Sequence, residues 1–129
     1  MKRITTLEAP AAIGPYTQGT IERGFLFTAG QIALTHEGEL VNGSIEEETH
    51  QIMRNLQAIL NEAGCGFSDV VKATIYITEL SSYKTVNTIY GSYFSDAEYP
   101  ARECVGVAFL PLPEARIEIS MIAALPLAS

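Results

Sequence analysis

The sequence predicts an α+β fold in which a mixed sheet carries two helices on one face. Three observations predict it. Strand-like and helix-like segments interleave in the order strands, helix, strand, helix, two strands. Only two segments show helical spacing, and two helices cover one face of such a sheet, so the other face must meet water or a partner. No internal repeat, low-complexity run or linker interrupts the chain, so residues 1–129 read as one domain.

Thr17 to Glu22 and Phe25 to Ala29 flank Arg23-Gly24, a hairpin pattern, and Gly30 then interrupts the second strand. A glycine there permits close backbone approach. Ser44-Ile45-Glu46-Glu47 has the form of a capping box. Ile45, Thr49, Ile52, Met53, Leu56, Ile59, Leu60 and Ala63 follow at helical spacing, and Gly64 ends the run as a residue suited to positive φ. The cluster Glu46, Glu47, Glu48 and His50 reads as a solvated face of this helix, and His36 falls in the turn-like stretch Thr35-His36-Glu37-Gly38-Glu39.

Val70 to Thr78 alternates, sending Val71, Ala73, Ile75 and Ile77 to one face and Lys72, Thr74 and Tyr76 to the other. Ser82 to Phe94 places Val86, Ile89, Tyr90, Tyr93 and Phe94 at helical spacing, with Gly91 as a weak point. Beyond Pro100, Val105, Val107 and Phe109 alternate in one strand, and Ile117, Ile119, Met121 and Ala123 in another. Leu110-Pro111-Leu112-Pro113 separates them.

Composition narrows the function. A net charge of -7 and a pI near 4.7 are opposite to what phosphate neutralisation requires, which argues against nucleic acid as partner. The N-terminal residues lack the apolar run of a signal peptide or membrane span, so a cytoplasmic protein with no membrane association is expected. Hydrophobic residues make up 47% of the chain and mean hydropathy is +0.16, an apolar excess that favours self-association over an open sheet face. Cys65 and Cys104 show neither disulfide nor metal spacing and are expected as free thiols.

Five positions could carry chemistry. Arg102 opens a strand after Tyr99-Pro100-Ala101, where its planar fork could grip a carboxylate or simply make a surface ion pair; on composition alone the ion pair is favoured. Glu118 stands mid-strand on the face opposite Ile117 and Ile119, either as an open-face charge or as a carboxylate whose partial burial suits it to proton transfer. Tyr16, in the loop Gly14-Pro15-Tyr16, could wall a pocket or pack over the sheet. Asn87 on the second helix could bind a ligand or face water. Cys104 shares a strand face with Arg102 but has no adjacent histidine to activate it, and reads as a buried thiol.

These residues sit in motifs that resemble the RidA/YjgF family of imine deaminases: Ala9-Pro10-Ala11-Ala12-Ile13-Gly14-Pro15-Tyr16, Gly30-Gln31-Ile32, Val71-Lys72-Ala73-Thr74, Val86-Asn87, Pro100-Ala101-Arg102 and Ile117-Glu118-Ile119. The resemblance runs nearly end to end. It implies a chorismate-mutase-like fold and a homotrimer whose sheets form a central barrel, with sites between subunits. It implies hydrolysis of 2-aminoacrylate, 2-iminopropanoate and 2-iminobutanoate to 2-keto acids and ammonia, without metal or cofactor. Arg102 would bind the substrate carboxylate, Glu118 would position water and handle protons, and Tyr16, Ala29, Gly30, Asn87 and Cys104 would line the pocket. A non-catalytic module binding keto or amino acids in the same cleft is the alternative.

Three positions depart from the family pattern. Ala29 stands where Ser is common, which removes a hydroxyl and implies weaker or shifted activity; Glu103 follows Arg102 in place of Ser, and Ser120 replaces a second Glu. Strand alternation turns Glu103 away from Arg102.

Overall fold

In a computed structural model describing residues 1–127, the chain forms one six-stranded mixed sheet and two helices. Strands β1 (Lys2–Ile4), β2 (Gly19–Glu22) and β3 (Phe25–Thr28) precede helix α1 (Ile45–Glu62), followed by β4 (Val70–Ile77), helix α2 (Tyr83–Gly91), β5 (Ala101–Gly106) and β6 (Ile117–Ala124). The order across the sheet is β1-β2-β3-β6-β4-β5, antiparallel throughout except for the parallel pair β4-β5, which α2 connects. The last strand, β6, is inserted between β3 and β4 and carries Glu118 at the middle of the sheet.

Local chemistry explains the boundaries. Arg23 and Gly24 both take positive φ, 52° and 82°, as a two-residue turn matched to the strand twist demands. Ser44 Oγ accepts the amide of Glu47 at 3.1 Å at the start of α1. Gly64, at φ 82°, ends it: Gly64 N–H donates to Asn61 O and Cys65 N–H to Leu60 O, a complete Schellman motif.

Ile52, Met53, Leu56, Ile59 and Leu60 of α1 and Val86 of α2 meet Ala73, Ile75 and Ile77 of β4 and Ile117, Ile119, Met121 and Ala123 of β6, all buried. At roughly 1.5–3 kcal/mol for each fully buried large side chain, this interface is what holds the helices on the sheet. The opposite sheet face is open, with Phe25, Phe27, Val71 and Val105 each about 40% exposed. No helix among the described residues is long and apolar enough to cross a membrane.

Three expectations are corrected. Val71 does not join the core: a register shift between Val70 and Lys72 puts Val70 inside and leaves Val71 43% exposed. Val105 and Phe109 are exposed, because β5 is an edge strand that ends at Gly106 and its core-facing residues are Arg102 and Cys104. The acidic cluster on α1 is not a solvated face throughout. Glu48 is fully buried, accepting the amides of Arg116 and Ile117 at 2.7 and 3.2 Å and Arg116 Nε at 2.9 Å. His50 Nδ1 lies 2.7 Å from the Tyr93 hydroxyl.

Candidate functional site

Glu118 projects from β6 on the face away from the helices, opposite Tyr76 in the ladder, while Ile117 and Ile119 point into the core. Its carboxylate lies over Gly30, where a β-carbon would fall 2.4 Å from Oε2 and 2.7 Å from Cδ. The segment is fixed there because Gln31 and Ile119 exchange both backbone hydrogen bonds, at 2.8 and 3.0 Å. Glycine serves here for space.

A cleft of about 420 Å³ opens over this carboxylate, walled by Pro10, Ala11, Ile13, Tyr16, Ala29, Ile32, Leu34 and Leu112. The wall is almost wholly apolar, and burial alone raises the Glu118 pKa above its ordinary 4.5. Among the described residues the Glu118 side chain makes no hydrogen bond or ion pair. Buried Gln18 holds the cleft's outer wall: its Nε2 donates to the carbonyls of Thr6, Ala9 and Pro10, and its Oε1 accepts the Thr6 amide. Tyr16 is half exposed at the rim, with its hydroxyl accepting the Ile13 amide at 3.4 Å.

Arg102 belongs to the other side of the sheet. In the parallel ladder Arg102 pairs with Ala73 and Cys104 with Ile75, both core residues, so the guanidinium reaches toward α2. Nη1 donates to Asn87 Oδ1 at 2.7 Å and Nη2 to the Tyr83 hydroxyl at 3.2 Å. Its Cζ is 5.3 Å from the Tyr90 ring centre and 5.8 Å from that of Tyr83. Among the described residues two of its five N–H donors are used, leaving three for a ligand. A second cleft of about 400 Å³ is bounded by Asn87, Tyr90, Gly91, Tyr99, Pro100 and Arg102.

The two clefts share no lining residue. Tyr16, Ala29 and Gly30 gather around Glu118, Asn87 gathers with Arg102, and Cys104 lines neither cleft while sharing Arg102's strand face. Burial pushes the half-buried Cys104 thiol up, partly offset by Arg102, so it is a poor nucleophile. Glu103 turns away and pairs with Lys72 at 2.6 Å on the exposed face. Among the described residues no three His, Cys, Asp or Glu side chains converge as metal ligands.

Tyr83 and Tyr90 are functional neighbours of Arg102 that the sequence motifs do not single out. Tyr83, Asn87 and Tyr90 stand at i, i+4 and i+7 on α2, so the stripe that holds Arg102 had a legible spacing. Burial pushes the Tyr90 hydroxyl up to about 12 against the pull of Arg102.

A family model described as endoribonuclease L-PSP matches residues 6–125. The chain belongs to the RidA/YjgF family. It is 47% identical to the RutC family protein slr0709 of Synechocystis, across 98% of each chain. It is 49% identical to the putative regulator AldR of Lactococcus lactis, covering 95% of this chain and 97% of that one. Human 2-iminobutanoate/2-iminopropanoate deaminase is 41% identical, over 93% of this chain and 87% of the relative. Among solved structures, a putative endoribonuclease from Thermotoga maritima superposes with TM-score 0.92 at 42% identity, covering 98% of both chains. E. coli TdcF with bound serine superposes with TM-score 0.91 at 36% identity, over 98% of this chain and all of the other. The RidA family thus includes imine deaminases as well as members known only by family.

Proposed function

We propose that this protein hydrolyses small 2-imino acids to 2-keto acids and ammonia, in a site completed by a neighbouring subunit. The observation that carries the reading is the pairing of complementary halves: a carboxylate with raised pKa in an apolar cleft, and a guanidinium with three unused donors. The identity to human 2-iminobutanoate/2-iminopropanoate deaminase supports the substrate class.

The chemistry asks little of the protein. The imine carbon is already electrophilic, so orientation and proton traffic suffice. Arg102 holds the 2-carboxylate through charge-assisted hydrogen bonds, with Asn87 bracing the fork. Ionised Glu118 takes a proton from water as its oxygen bonds to the imine carbon. That proton passes to nitrogen to give a carbinolamine; Glu118 then takes the hydroxyl proton and relays it to the amino group as the C–N bond breaks, so that ammonia leaves and the keto acid remains. Ala29 supplies no hydroxyl beside this carboxylate, which leaves Glu118 to position the water.

Because Arg102 and Glu118 lie on opposite faces of one sheet, one chain cannot present both to a single small substrate. A chorismate-mutase-like trimer, its open sheet faces forming a central barrel, brings the Glu118 cleft of one subunit against the Arg102 cleft of the next. The exposed Phe25, Phe27, Val71 and Val105 support burial of that face between copies. No metal or cofactor enters the scheme, and a net charge of -7 argues against RNA as substrate.

The test is release of keto acid from 2-aminoacrylate and 2-iminobutanoate generated in situ by a threonine dehydratase, with semicarbazide trapping surviving imine. Acceleration by the wild type and far less by Arg102→Ala supports the reading; equal acceleration by both defeats it. Ala29, with the 49% identity to a putative regulator, favours one second reading: a keto- or amino-acid-binding module in the same cleft. Binding of 2-ketobutanoate without turnover is its signature.

A further inference from the structure

We infer that Tyr83 is a positioning residue for Arg102, fixing the guanidinium for carboxylate recognition together with Asn87. The inference rests on the reading of Arg102 as the carboxylate binder. Asn87 takes a hydrogen from Nη1 at 2.7 Å and Tyr83 takes one from Nη2 at 3.2 Å, so the two ends of the fork are tied to successive turns of α2. One tie alone would leave the planar group free to swing about the Asn87 contact. Two ties define its plane and leave Nε and one hydrogen on each terminal nitrogen for the ligand. The Tyr83 and Tyr90 rings near Cζ stabilise the charge in that pose.

Tyr83 is well suited to a clean test. Tyr83 is 38% exposed, so Tyr83→Phe keeps the ring contact, removes only the hydroxyl and leaves no polar atom buried without a partner. Calorimetric titration of wild type, Tyr83→Phe and Arg102→Ala with 2-ketobutanoate and with its uncharged analogue 2-oxobutanamide separates the possibilities. The expected result is a Kd for the keto acid raised about 3- to 10-fold in Tyr83→Phe, as for loss of one net hydrogen bond, with amide binding unchanged. In turnover, KM should rise by the same factor while kcat stays within about twofold. Keto-acid binding equal to wild type in Tyr83→Phe but lost in Arg102→Ala overturns the inference alone. So does equal weakening toward acid and amide, which marks a general disturbance. Arg102→Ala binding the keto acid as wild type does overturns the underlying reading.

Discussion

The Glu118 carboxylate rests on Gly30 so closely that a β-carbon there would fall 2.4 Å from its Oε2. Gly30→Ala therefore moves the carboxylate without straining the backbone, because φ at Gly30 lies outside the left-handed region. We expect kcat/KM for 2-iminobutanoate to fall about 10- to 100-fold, the cost of displacing a catalytic group by an ångström, with little loss of stability. Steady-state kinetics beside thermal melts checks this; an unchanged kcat/KM would mean that the carboxylate's place over Gly30 is immaterial.

Glu118 also has a signature in pH. Burial raises its folded pKa above 4.5, so the folded state holds this proton more tightly than the unfolded chain does. The stabilisation is present below the unfolded value and is lost as pH rises through the folded one. The stability of Glu118→Gln relative to wild type should therefore grow from pH 4 to pH 7, measured by urea denaturation, and wild-type kcat/KM should fall as pH drops through the raised Glu118 pKa.

Glu48 is buried structure. Glu48→Ala strands the amides of Arg116 and Ile117 together with a guanidinium whose side chain is 27% exposed. We expect a loss of about 3 kcal/mol, the low end for breaking a buried pair, since Arg116 can still reach water. Chemical denaturation measures it, and a change under 1 kcal/mol would show that the buried contacts are replaced cheaply.

Arg102→Ala should lower kcat/KM for 2-imino acids by roughly 10- to 150-fold, the range for one charge-assisted recognition contact. Asn87→Ala should act in the same direction and more weakly, since Asn87 works through the guanidinium it holds.

Much of this was readable from local patterns. Ser44 and Gly64 bracket α1, Arg23-Gly24 turns the hairpin, and strict alternation about Glu118 assigns its face, because caps, turns and strand period depend on neighbouring residues. What escaped depends on distant partners. Glu48 looks solvated until Arg116, 68 positions away, is folded against it, and His50 until Tyr93 arrives from 43 positions on. Val71 was misplaced by a bulge that the Val70-Val71-Lys72 run does not advertise. Residue identities named Arg102 and Glu118; that they occupy opposite faces of the sheet follows only from the register, which sets Arg102 beside Ala73 and Glu118 beside Tyr76 of β4.

That separation makes subunit complementation the most direct test of a site shared between copies. Arg102→Ala and Glu118→Gln proteins are each prepared, confirmed as folded and assayed alone for residual activity, then unfolded together in equal amounts, refolded and assayed for 2-iminobutanoate hydrolysis. In a cyclic homo-oligomer, random mixing pairs an intact Glu118 with an intact neighbouring Arg102 in about a quarter of the sites, so about a quarter of wild-type activity should return. A mixture that forms hybrid oligomers and is no more active than the two variants alone would contradict a site built from two subunits.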